Sequence, residues 1–137
     1  MRKAVLFMQK AQVVERKINA ALVKVELYNS MTQRITASLG GEHVSHTRNV
    51  GANEDAIIRL VEAHDKLDKL KAEYEAAVDE ITDVVGNMDD QIQQTILLEH
   101  YLGHQEFEEI AAKLEISRAS VYDQHKAGLA ELEMLLT

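Results

Sequence analysis

The chain has 137 residues, 46% of them hydrophobic but only 4% aromatic, and a formal net charge of −8. Leu, Ile, Val and Ala carry the apolar payload, which suits interdigitating helices better than a sheet. Without cysteine there is no disulfide framework or thiolate metal site, and without proline nothing forbids long helices. The charge is lopsided: residues 1–50 carry a net +5, residues 51–86 a net −6 and residues 87–137 a net −7.

Residues 1–8, MRKAVLFM, begin as a secretory leader does. Their apolar run ends at Gln9 and Lys10, too short for a leader core or a membrane span, so an intracellular protein with no membrane association is expected. From Ala4 onward the chain has a heptad seam: Ala4, Phe7, Ala11, Val14, Ile18, Ala21, Val25, Tyr28, Thr32, Ile35, Leu39. The alternation of three- and four-residue steps predicts one long helix. Residues 40–53, GGEHVSHTRNVGAN, have three glycines and no periodicity and read as a loop, with Asn53 capping the next helix. That helix has its own seam: Ala56, Leu60, Ala63, Leu67, Leu70, Tyr74, Ala77, Ile81, Val84, Met88. Two seams of matched length and opposite charge predict a coiled-coil-like antiparallel hairpin over 1–86. Its faces are broader than one seam, with Ile57, Val61, Val78 and Val85 flanking the second stripe. Such a hairpin cannot bury both faces alone, so it is expected to be the assembly element of a homodimer or higher homo-oligomer.

Asn87, Asp89 and Asp90 read as the start of a third helix, with Ile92, Ile96, Leu97 and Tyr101 inward and a stop at Gly103. A short helix follows over Gln105–Leu114, with Phe107, Ile110, Ala111 and Leu114 inward. Ser117 then caps a final helix carrying Val121, Gly128, Leu129, Leu132 and Leu136. Ala111 is small where two helices would cross, and Ile110, Leu114, Ile116 and Val121 supply a shared core. This is the pattern of a helix-turn-helix, in which the second helix enters the major groove of DNA. Glu115 stands at the turn position usually held by glycine, where a left-handed backbone costs about 1 kcal/mol. The fold class expected is all-α: a long helical hairpin followed by a helix-turn-helix domain over 87–137.

The stretch DDQIQQTILLEHYLGHQEFEEIAAKLEISRASVYDQHKAGLAELEML resembles region four of bacterial sigma factors, with its leading helix, its EIA..L..S...V core and its trailing L..L. With the hairpin, the SLGG…TRN segment and LEHYL, residues 10–135 resemble phage-encoded sigma-like regulators, the late activators of the ArpU/RinA type. The resemblance implies a sequence-specific transcriptional regulator in the cytoplasm of a bacterial host. Its implied partners are double-stranded DNA and host RNA polymerase. Carried over position by position, it implies that Ser117, Arg118, Ala119, Ser120, Tyr122, Asp123 and Lys126 face the DNA. Arg118 would pair with guanine, Ser120 would meet a base or phosphate, and Lys126 would meet a phosphate. Tyr122 and Asp123 stand where sigma factors commonly carry basic or amide side chains. From Gln105 onward there are seven acidic residues against three basic ones, so Glu106, Glu108, Glu109 and Glu115 are expected to lie away from the groove.

His100 with His104, and His43 with His46, have spacings that can hold a metal, but neither pair has a cysteine or supporting ligands nearby. His125 falls on the inner face of the last helix and reads as a satisfied core histidine. No nucleophile–base set, phosphate-cradling glycine loop or paired carboxylate is visible, so neither an enzyme nor a cofactor or metal site is expected. Two other readings fit the same elements. One is a DNA-packaging adaptor resembling a small terminase subunit; the other is an acidic protein-interaction module that does not bind DNA.

Overall fold

The computed structural model describes the backbone of residues 2–41 and 46–137, with side chains at 2–37 and 51–137. Its elements are α1 (Arg2–Met8), α2 (Lys10–Gly41), α3 (His46–Val85), α4 (Gln91–Tyr101), α5 (Phe107–Leu114) and α6 (Arg118–Leu135). The fold is all-α: no strand occurs among the described residues. No described helix is long and apolar enough to cross a membrane.

The long first helix is divided at Gln9, but its hydrogen-bond ladder runs on. Gln9 N donates to Val5 O at 3.0 Å, and Val13 N donates to Gln9 O at 3.1 Å. The loop expected over 40–53 is corrected: α2 continues to Gly41 and α3 already begins at His46, while residues 42–45 lie outside the described residues. Asn53 is therefore not a cap but an interior residue of α3, with its Oδ1 accepting from Thr36 Oγ1 at 3.5 Å. Glycine costs about 1 kcal/mol in a helix interior, whereas each added residue gains a hydrogen bond without a new nucleus. Punctuation by Gly51 alone does not stop a helix as long as α3.

The chain's contacts divide into two units, Met1–Val14 with Tyr74–Thr137, and Glu15–Glu73. This division differs from the expected boundary at 86/87, because the first 14 residues belong with the C-terminal helices. The first unit has a core of Ala4, Phe7, Met8 and Ala11 against Ile81, Val85, Met88, Leu97, Tyr101, Leu129 and Leu132. Fully burying Phe7 or Met8 contributes about 1.5–3 kcal/mol each. The first turn of α1 is tied down as well, since Ala4 N donates to Glu133 Oε2 at 2.6 Å. A smaller core joins Ile96, Ile110, Ala111 and Val121, with Phe107, Leu114 and Ile116 packed against it. Ile92 is not inward as expected but 46% exposed. The buried residues of α4 are Ile96, Leu97 and Tyr101, and half-buried Gln93 together with Leu97 lies against Gly128 of α6. A Cβ at Gly128 would lie 3.3 Å from Gln93 Cβ and 3.5 Å from Leu97 Cδ1, so glycine permits this close approach.

In the second unit Ala21 packs with Leu67 and Leu70, bordered by Ile18 and Val25. Thr36 meets Asn53, so the contacts ascend α2 as they descend α3. These inward residues belong to the two seams, and Ala56 of the second seam is also buried. Among the described residues of this unit no others are buried.

Candidate functional site

The site is built from the α5–turn–α6 segment. Helix α5 starts without a side-chain cap, but Glu108 and Glu109 stand in its first turn, where the helix dipole favours acids. It ends where Glu115 adopts the left-handed conformation, φ 58° and ψ 41°. Ile116 N then donates to Ala111 O at 3.1 Å and Glu115 N to Ala112 O at 3.4 Å, the bonding of a Schellman ending. Ile116 tucks against the small core. Ser117 follows with extended backbone, and its Oγ accepts from Ser120 N at 3.1 Å. That cap sets the direction in which α6 leaves the turn, and fully buried Val121 fixes its rotation.

Of the residues implicated by sequence, Arg118, Ala119, Tyr122, Asp123 and Lys126 are exposed, Ser120 is half-buried, and Ser117 is spent on capping. Arg118 is not free for a base. Its Nη1 lies 2.9 Å from Glu108 Oε1, and its Nη2 donates to the Tyr122 hydroxyl at 3.4 Å. The Tyr122 hydrogen bond and the Glu108 carboxylate raise the guanidinium pKa above its ordinary value. Glu108, one of the glutamates expected to lie away from a DNA groove, is thus turned toward the N-terminal end of α6. Lys113 is likewise paired, with Glu99 Oε1 at 2.6 Å. Lys126 is exposed on the outer face of α6.

Behind Tyr122 lies a ring cluster that sequence reasoning missed. His100 stacks on Phe107 with centroids 4.3 Å apart, and Phe107 meets Tyr122 edge-on at 4.8 Å. The His125 ring stacks on Tyr101 at 5.7 Å, and its Nε2 lies 3.0 Å from the Tyr101 hydroxyl. Burial pushes the pKa of the Tyr101 phenol up. Burial first, and then the neighbouring His100, push His125 below the ordinary histidine value. His125, expected as a satisfied core histidine, is partnered but only half-buried. An open cleft of about 390 Å³ fronts this cluster, lined by His100, Phe107, Glu108, Arg118 and Tyr122 among others. The signal for the cluster was the spacing of His100, Tyr101, Phe107, Tyr122 and His125, five of the few ring-bearing residues in the chain.

The His100–His104 spacing does not form a helical pair, because α4 ends at Tyr101 and His104 has φ 55°. His100 Nδ1 instead lies 2.9 Å from Gln105 O. His43 and the His46 side chain lie outside the described residues. No group of three or more His, Asp or Glu that could hold a metal occurs among the described residues.

Fold and site together define an all-helical protein whose terminal helix is capped, rotated and presented with a polar outer face. The chain belongs to the DUF1492 family, described as proteins of unknown function, whose model matches residues 41–133. No curated protein and no solved structure matches it.

Proposed function

We propose that the protein is a sequence-specific DNA-binding transcriptional regulator of phage origin, with a C-terminal helix-turn-helix resembling sigma-factor region four. In this reading α6 reads double-stranded DNA through Arg118, Ser120, Tyr122 and Lys126, at a promoter shared with host RNA polymerase. The helical hairpin of α2 and α3 makes it a homo-oligomer. The observation that carries the reading is the turn. A left-handed Glu115, a Ser117 cap and the buried Ile110–Ala111–Val121 core leave one polar face of α6 exposed at its N-terminal end. The test is protection of phage DNA by the full-length protein, alone and with polymerase. A discrete protected site supports the reading, and the absence of protection in either condition refutes it.

The paired state of Arg118 and Lys113 favours a second reading, an acidic module that grips a protein partner and leaves DNA alone. Capture of polymerase without any DNA protection supports that alternative.

A further inference from the structure

The second unit has an outward face that its own core does not use. On α2 the row Arg16, Ala20, Val23, Leu27, Ser30, Arg34 advances by alternating steps of four and three, and all six residues are exposed. On α3 the row Glu54, Ile58, Val61, Asp65, Asp68 advances in the same way and is also exposed throughout. Such a 3–4 alternation is the seam of a second helix contact, distinct from the inward seams of Ile18, Ala21 and Val25 and of Leu67 and Leu70. The apolar members are large and uncovered: Val23 is 64% exposed, Leu27 54%, Ile58 54% and Val61 53%. Apolar side chains repeated in register on an exposed helix mark an interaction surface.

The flanking charges indicate what covers them. The α2 row is basic at both ends and apolar in the middle; the α3 row is acidic at both ends and apolar in the middle. Pairing α2 with α2 would set arginine against arginine, and pairing α3 with α3 would set carboxylates together. Only α2 against α3 matches both the apolar centres and the charged ends. With Val23 and Leu27 centred on Ile58 and Val61, Arg16 and Arg34 lie about 13 Å from the centre, Glu54 and Asp65 about 8 Å, and Asp68 about 13 Å, at 1.5 Å per residue. An arginine side chain spans that difference. The match holds for parallel or antiparallel docking, because each row has the same charge at both ends.

We infer that a second copy of this chain docks its α2 row on the α3 row, and that this contact holds the protein in its oligomer. The inference does not depend on DNA binding. The test uses the full-length protein and its mass and dissociation constant by sedimentation equilibrium. The wild type should self-associate. The variants R16E/R34E and E54K/D65K each present like charges to themselves and should each dissociate about tenfold more readily. Mixed together, they recreate opposite-charge pairs, so association between them should return to within about threefold of the wild type. That rescue requires both variants to be folded, which separates a lost contact from a lost fold. A monomeric wild type, or variants that associate alone as the wild type does, or a mixture no tighter than its components, would overturn the assignment.

Discussion

Arg118 has two competing uses at one position. In the free protein its guanidinium rests between Glu108 and Tyr122, and in the proposed complex it must leave Glu108 for a base edge. An ion pair this exposed is weak, so exchange is accessible but weakens binding. Glu108→Gln should tighten DNA binding by up to about fivefold, whereas Arg118→Ala should weaken it by about 1–3 kcal/mol; fluorescence anisotropy on a bound duplex measures both. His125 gives a prediction independent of DNA. Its folded pKa lies below the unfolded value because burial, and then His100, disfavour the imidazolium. On acidification the unfolded state takes up this proton first, so stability is lost as pH falls from the ordinary histidine range toward the depressed folded pKa. The melting temperature should therefore drop between pH 7.5 and 5.5, and His125→Gln should flatten that dependence. A slope unchanged in the variant would assign the acid sensitivity to another group.

At the level of elements, the heptad seams were legible because their period is a direct consequence of helix geometry. Ala4, Phe7, Ala11, Val14 and Ala21 are all buried, as are Ala56, Leu67, Leu70, Ile81 and Met88. The Ser117 cap and the left-handed Glu115 were legible for the same reason, since both are local chemistry. The end of α2 and the start of α3 were not, because glycine signals a break locally while helix propagation, which opposes it, depends on the whole length of the helix. Nor was the place of residues 1–14, although Ala4, Phe7, Met8 and Ala11 follow the i, i+3, i+4, i+7 pattern of a core helix. That pattern has a consequence: Phe7→Ala should destabilise the unit containing α4–α6 by about 3–5 kcal/mol, read as loss of the cooperative melt. A melt shifted by less than about a degree would place Phe7 outside that core. Glu115→Gly should relieve the left-handed strain, offset in part by the added freedom of the unfolded chain. The expected gain is about 0.5–1 kcal/mol by urea denaturation, and a loss would mean that the carboxylate contributes more than the backbone costs.

For the whole molecule, charge limits the proposed contact with DNA. A net −8 repels DNA, and from Gln105 onward only Lys113, Arg118 and Lys126 oppose seven acids. Two of those three are already paired with glutamates. Even with all three on phosphates, counterion release gives a slope of log K against log salt no steeper than about −3 per protomer. In the proposed reading, binding therefore depends on specific contacts and on joining several copies of α6 in one oligomer. The most direct test of DNA reading is selection from a random duplex pool by the full-length protein. The selected site is then titrated from 50 to 200 mM salt with wild type and with the double variant Arg118→Ala/Lys126→Ala. One enriched motif, a shallow salt slope and loss of preference in the variant are expected. Failure to enrich any motif, or an enriched site that the variant binds as tightly as the wild type, would contradict the proposed reading.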